Sequence, residues 1–248
     1  EIYTLSLHDA LPIYELLGYS YKMKRPVSGV IATAFPATFK LALAAALFAW
    51  FIGVPAGLLS AVKPNSIADN GLMGFSLTGI SMPTFWVALV LQYVFGVIFG
   101  LLPVAGFDSW RHMILPVIVL GWGASGSVAR LTRSSVLEIM RNDYIRTARS
   151  KGLTEGRVIR VHALKNALLP VVTIMAIQLS SLLSGAIVTE SVFGIPGVGR
   201  LAITAINNRD MPLLQGTVMF GTFLVIIGSI VADVLYALLD PRIRYVRD

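Results

Sequence analysis

Apolar residues along the chain neither alternate nor recur only at helical intervals; they gather into five nearly continuous blocks, at residues 39–62, 72–101, 113–136, 168–190 and 216–239. Each is long enough to cross a hydrocarbon core, which takes about 20 helical residues. Backbone polar groups in lipid must be satisfied within the element, so helices are expected; a β-barrel would show strict alternation instead. The second block exceeds one straight span, and Pro83 is expected to divide or kink it. Gly53 with Gly57, and Gly96 with Gly100, stand at the small-xxx-small spacing that permits close helix approach, which we read as ordinary packing within the bundle. The predicted fold class is an all-α integral membrane protein, a polytopic helical bundle with about five spans in this fragment.

Composition agrees with the pattern. The chain has 248 residues, 56% hydrophobic and 13% charged, and a mean hydropathy of +0.76. Soluble domains carry about 25% charged residues, so this chain has too few charges to build a polar shell. The formal charge is +7, and most of it is local. Arg130, Arg133, Arg141, Arg146, Arg149, Lys151, Arg157, Arg160 and Lys165 are opposed only by Glu138, Asp143 and Glu155. Basic residues concentrated between apolar spans mark the cytoplasmic side rather than a nucleic-acid site. Arg242, Arg244 and Arg247 in the tail agree with that side; Lys22, Lys24, Arg25 and Lys40 oppose it, and the denser cluster decides. With no cysteine, disulfides, thiolate metal sites and cysteine nucleophiles are excluded.

The resulting divisions are a non-native leader at 1–13, an external pre-helix segment at 14–37, a transmembrane domain at 38–240 and a cytoplasmic tail at 241–248. The leader EIYTLSLHDALPI resembles translated sequencing adaptor, so it is set aside from the fold. Five spans with an external start imply a further helix upstream of the fragment.

The polar stretch 142–166, NDYIRTARSKGLTEGRVIRVHALKN, is the functional centre of the sequence. Asn142 or Asp143 can cap a first short helix, Arg149 and Lys151 suit its negative end, and Gly152 suits the left-handed position beyond it. Thr154 can cap a second helix with Glu155 in its first turn, and Val158, Val161 and Leu164 recur along one face. Two short water-facing helices joined at a glycine make a rigid elbow.

These residues resemble the EAA loop of ABC importer permeases, whose pattern is E-A-A, three residues, G, nine residues, I-x-L-P. Aligned on Gly152, the family positions fall on Arg146, Thr147, Ala148, Gly152, His162, Ala163, Leu164 and Lys165, with strict matches at Ala148, Gly152 and Leu164. Arg146 stands where the broad family has glutamate, so contacts of that carboxylate do not carry over. The longer runs YIRTARSKGL and HALKNALLPVV, the loop TESVFGIPGVGRLAITAINNRDMPLLQG, the ending LLDPRIRY and the opening GYSYKMKRPV are similar to the dipeptide, oligopeptide and nickel permeases of that family.

The resemblance implies a type I ABC importer permease in a bacterial or archaeal cytoplasmic membrane, forming the pathway for di- or oligopeptides or a related solute such as nickel. Its implied partners are a homologous second permease subunit, two cytoplasmic ATPase subunits, an external solute-binding protein and membrane lipid, with no nucleic acid. ATP would be used by the partners and no cofactor bound by this chain. The ATPase-coupling positions implied are Arg146, Thr147, Ala148, Gly152, Val158, Ile159, Val161, His162 and Leu164, with Val158, Ile159, Val161 and Leu164 as anchors in an ATPase groove.

The remaining chemistry is sparse. His8, His112 and His162 lack metal-ligand spacing, no G-x-x-x-x-G-K-[ST] motif is present, and no clustered His, Asp or Glu set supports catalysis. The expectation is therefore a transport subunit with no catalytic residues and no metal. Gly194, Pro196, Gly197 and Gly199 read as turn formers that shape an outer gate or a docking surface, rather than as a phosphate cradle. A charge at the bilayer centre costs around 2.5–3.5 kcal/mol on insertion scales, so charged and polar residues within spans are informative. Asp233, Gln178, Ser181 and Ser184 are pathway candidates, Asp233 also a candidate for pairing; Ser180 adds a polar atom to the fourth span, and Glu190 is expected at its outer end, in reach of water. Trp86, Trp110 and Trp122 read as packing or interface anchors. The alternative reading is an ion-gradient-driven secondary transporter or channel, which would need no ATPase.

Overall fold

The computed structural model describes residues 17–239; the expected leader and tail lie outside the described residues. A small antiparallel hairpin, β1 (Tyr19–Ser20) and β2 (Arg25–Pro26), precedes the helices. These are α1 (Val27–Val62), α2 (Ile67–Ser81), α3 (Thr84–Ile98), α4 (Trp110–Ile139), α5 (Asp143–Ser150), α6 (Glu155–Ala167), α7 (Leu169–Leu183), α8 (Ile187–Val192), α9 (Val198–Asn207) and α10 (Met211–Leu239). Three helices are each long and apolar enough to cross a membrane: α1, α4 and the Met211–Val234 part of α10. Counting each of the bent pairs α2 with α3 and α6 with α7 as one span gives up to five among the described residues.

Pro83 does divide the second apolar block, between the end of α2 and the start of α3. The fourth block is shorter than expected. It ends at Leu183, and Gly185, at φ +123°, turns the chain before the separate helix α8. The largest departure is at α1, which starts at Val27, well inside the segment 14–37 expected to precede the helices. Ser28, Gly29, Thr33 and Pro36 are poor helix formers, but Val27, Val30 and Ile31 are buried against α9 and α10, and that burial outweighs local propensity. Lys22, Lys24 and Arg25, which opposed the assigned orientation, belong to the hairpin, with Lys24 at φ +51°. Likewise α10 starts at Met211, before the expected 216: Asp210 accepts the Leu213 amide at 3.3 Å as an N-cap, and Pro212 in the first turn has no amide to waste.

The contacts divide the chain into two compact units, each drawn from three separate stretches. One contains the described residues up to Leu43, Phe85–Pro116 and Ser181–Val225; the other contains Ala44–Thr84, Val117–Ser180 and the chain from Ile226. In the first, the core is Val27, Val30, Ile31, Val198, Ala205 and Leu213, with Phe35 and Phe220 edge to face at 5.2 Å. The Ser20 hydroxyl donates to Asp210, tying the hairpin to the cap of α10.

In the second unit, α1 lies directly against α4. A β-carbon on Gly53 would stand 2.7 Å from the Ser125 carbonyl oxygen, and one on Gly57 2.6 Å from Thr132 Cβ. The Gly-xxx-Gly spacing is therefore an internal packing seam, as expected. Gly96 and Gly100 form no such seam; Gly96 faces Val104, and Gly100, at φ +59°, follows the end of α3. Trp122 stacks on Phe75 at 5.0 Å and donates Nε1 to the Phe75 carbonyl at 3.1 Å, a packing role.

Candidate functional site

The elbow predicted between the third and fourth apolar blocks is α5, a glycine turn and α6. Asn142 and Thr154 occupy the two N-caps with extended backbone, although neither side chain makes a cap hydrogen bond. At the end of α5 the Gly152 amide donates to the Arg149 carbonyl at 2.9 Å and the Leu153 amide to the Ala148 carbonyl at 3.4 Å. Gly152 itself is at φ +79°. That bond pair with a left-handed residue is a Schellman turn, and Leu153 completes it by packing on the Ala148 cluster.

The elbow has its own core: Ile145, Ala148, Val158 and Ala163 are buried together, with Ile139, Met140 and Leu153 around them. Ile139 and Met140 also join a second cluster, Ala61, Val136 and Ala167, which roots the elbow on the ends of α1 and α4. Polar bonds fasten the outside. Arg149 bridges the turn to Glu155, Nε to Oε1 at 2.7 Å, and Asn166 donates to the Tyr144 hydroxyl at 3.0 Å. Between this surface and the end of α1 lies a cavity of about 360 Å³, lined by Val62, Pro64, Leu137, Arg149, Glu155 and Ile159.

This geometry corrects one of the expected groove anchors. Val158 is buried in the elbow's own core, together with Ala148 of the coupling set. The periodicity failed because residues Val158–Ala163 wind as a π-helix, with the Leu164 amide donating to the Ile159 carbonyl. In that wider winding a three-residue step leaves the face it would keep in an α-helix. Val161, 57% exposed, thus parts company with Val158. Ile159 turns toward the cavity, and His162 and Leu164 are half-buried. Arg146, Thr147 and Gly152 are exposed; Arg146 reaches Asp143 only loosely, at 3.5 Å.

Among the pathway candidates, Gln178 donates to the Ala124 carbonyl of α4 at 3.2 Å while its Oε1 is buried without a partner. Ser184 donates to the Ser181 carbonyl at 2.7 Å and lines a cavity of about 320 Å³ with Val198, Gly199, Thr217 and Gly221. Ser181 is exposed, and Asp233 is exposed on α10 with no ion pair among the described residues. No group of three or more His, Cys, Asp or Glu able to hold a metal ion occurs among the described residues.

Three carboxylates are buried among the described residues: Asp210, the cap of α10, and two more with larger polar shells, Glu190 and Asp69. Glu190, expected within reach of water, is wholly buried. Its Oε1 accepts the Thr38 hydroxyl at 2.8 Å and its Oε2 the Arg200 amide at 3.0 Å, while the Val198 amide donates to Thr38 Oγ1 at 2.8 Å. Glu190 therefore caps α9, and a β-carbon on Gly197 would collide with its carboxyl group. The crowded glycines form a cradle for an internal carboxylate. Asp69 accepts both Nε and Nη2 of Arg133, at 2.8 and 2.7 Å, with the Ser60 hydroxyl and the Asn65 amide completing its shell. The signal available for it was the spacing of Ser66 and Asp69 at a helix start, where Ser66 is the N-cap and its Oγ accepts the Asp69 amide at 3.1 Å.

The family described as binding-protein-dependent transport system inner membrane component matches residues 53–245. The chain belongs to this family. Sequence relatives of the permease include the di/tripeptide transport system permease protein DppB of Pseudomonas aeruginosa, 43% identical over 93% of this chain and 77% of that protein. The dipeptide transport system permease protein DppB of Escherichia coli K12 is 42% identical over 92% and 77%. A chain of the MetNI methionine ABC transporter, solved in inward-facing conformations, superposes with a TM-score of 0.72 at 20% identity, covering 87% of this chain and 98% of that one. The fold is that of type I ABC importer permeases. This chain is a transport subunit of an ATP-driven importer, and the ATPase of such a system is a separate subunit. The gradient-driven alternative finds no support.

Proposed function

We propose that the permease forms half of a translocation pathway for di- or tripeptides in a bacterial or archaeal cytoplasmic membrane. A homologous second permease subunit forms the other half, two cytoplasmic ATPases dock on the elbows, and an external binding protein delivers the solute. The identity of 43% to a permease named for di- and tripeptides supports the solute class. The observation that carries the mechanical part is the elbow's separate core, joined to the ends of α1 and α4 through Ile139 and Met140.

A knob with its own core moves as one piece when gripped, and the shared cluster passes that movement to the helices it is rooted on. ATP is consumed by the partner ATPases, and this chain supplies the lever and the path. Exposed Val161, with the solvent-facing side of α5, is the docking surface in this reading. The test is uptake of a labelled dipeptide into proteoliposomes that hold the permease, its companion permease and the ATPases. Uptake that requires both ATP and the binding protein is expected. Uptake driven by an ion gradient without ATP would overturn the proposal, and uptake of free amino acids in place of dipeptides would overturn its solute class.

A further inference from the structure

Seven cations of the elbow are exposed: Arg141, Arg146, Arg149, Lys151, Arg157, Arg160 and Lys165. Of its two carboxylates, Glu155 is held by Arg149 at 2.7 Å, and Asp143 meets Arg146 only at 3.5 Å. Among the described residues Arg141, Lys151, Arg157, Arg160 and Lys165 make no ion pair. Arg157 and Lys165 stand four residues before and after exposed Val161 on α6 and Arg160 directly precedes it, all three exposed, with Arg160 Nε donating to the Gly156 carbonyl at 3.2 Å. This stretch thus combines one exposed aliphatic side chain with three exposed cations at neighbouring helical positions, on a π-helical segment of the kind often found at functional sites.

We propose that the groove receiving this face is lined with carboxylates, so that the permease selects its ATPase by charge, with Arg157, Arg160 and Lys165 as the selecting residues. This rests on the reading that the elbow docks an ATPase. Like charges facing one another at a protein contact cost several kcal/mol, and a carboxylate-lined groove is the complementary surface that favours cations left without an ion pair. A lipid surface is the weaker partner. A helix lying in a bilayer interface needs a broad apolar face, whereas the elbow places Ile145, Val158 and Leu153 in or against its own core and exposes only Val161 and Tyr144 among its large apolar side chains. Tyr144 is itself occupied, by Asn166.

The experiment uses the assembled permease–ATPase complex, comparing wild type with Arg157→Glu/Arg160→Glu and with Arg157→Gln/Arg160→Gln. A photo-crosslinker at Val161 serves as a second readout. ATPase retained on the permease at low salt should fall at least about tenfold in the Glu variant and less in the Gln variant. Retention by the wild type should fall with salt, and Lys substitution of carboxylates in the ATPase groove should restore binding to the Glu variant. Full retention by the Glu variant with unchanged salt dependence, while Val161 still crosslinks to the ATPase, would overturn the acidic groove and leave the docking site standing. Crosslinks from Val161 to anionic lipid alone, with no ATPase retained by any form, would overturn the docking site itself. The substituted side chains are exposed, so insertion into the membrane should be unaffected in every variant.

Discussion

The elbow and the Glu190 cradle both depend on glycine-bearing turns and short helices, but they hold together over different ranges of sequence. Every residue of the elbow core lies between Ile139 and Ala163. The cradle brings together Thr38, Glu190, Val198 and Arg200, with 152 positions between the hydroxyl and the carboxylate it serves. The elbow is a local object whose charges face outward, whereas the cradle buries a carboxylate and answers it with a hydroxyl and a helix-end amide, with no salt bridge to Glu190 among the described residues. Damage to the first should stay local, and damage to the second should reach separate segments of the chain.

The largest effect expected is from Gly152→Pro. Proline fixes φ near −65° where the turn holds +79°, and it removes the amide that bonds Arg149. A local cost of about 3 kcal/mol or more is expected, which hydrogen exchange would record as at least about a hundredfold loss of protection in α5 and α6. Protection in α1 beyond its last turns and in α9 should be unchanged, and ATP hydrolysis should be uncoupled from uptake. Loss spreading to α9 would break the contrast between the two regions. Glu190→Ala comes next, at about 2–3 kcal/mol, because it strands a hydroxyl and an amide that now bond a charge. Here exchange should quicken at Val198–Arg200 and around Thr38 together, with the elbow silent. Glu190→Gln should cost less, since one oxygen acceptor remains.

The same difference in range explains what could be read from sequence. Helical spans, the break at Pro83, the elbow and the left-handed Gly152 all follow from patterns within a few residues of each other. The Schellman turn was visible as a cation-rich helix end followed by glycine. The cradle was not visible, because nothing near Glu190 in the sequence says that Thr38 will donate to it. Asp69 with Arg133, 64 positions apart, is the same case, although Ser66 caps the helix that carries Asp69 from only three residues away. The start of α1 was misplaced for a related reason: the burial of Val27 and Ile31 comes from α9 and α10, far along the chain. Within the elbow the one failure was winding. An α-helical period put Val158 outside with Val161, and the π-turn separated them.

Smaller substitutions sharpen the account of the turn. Gly152→Ala adds a methyl group that meets no atom within 4 Å, so its whole cost is the left-handed backbone. About 1 kcal/mol is expected, and less for Gly152→Asn, whose side chain tolerates that region. Amide exchange in α5 would measure both. Equal costs for Ala and Asn would mean that the turn is held by something besides its φ.

The smallest effect expected is from Arg149→Ala. Its bond to Glu155 is short and nearly bidentate, at 2.7 and 3.3 Å, and it closes the Gly152 turn from outside. Yet the two side chains are 40% and 59% exposed, so water and salt screen the attraction. Exposed pairs contribute roughly 0.2–1 kcal/mol, and the lower half of that range is expected. The loss should vanish at high salt, and Arg149→Glu combined with Glu155→Arg should recover most of it. If instead Arg149→Ala unfolds the elbow as thoroughly as Gly152→Pro does, the ion pair and not the buried cluster holds the knob together. The local core of Ile145 and Val158 would then be a consequence of the clasp, and the elbow would depend on surface charge in the way the cradle depends on a buried one.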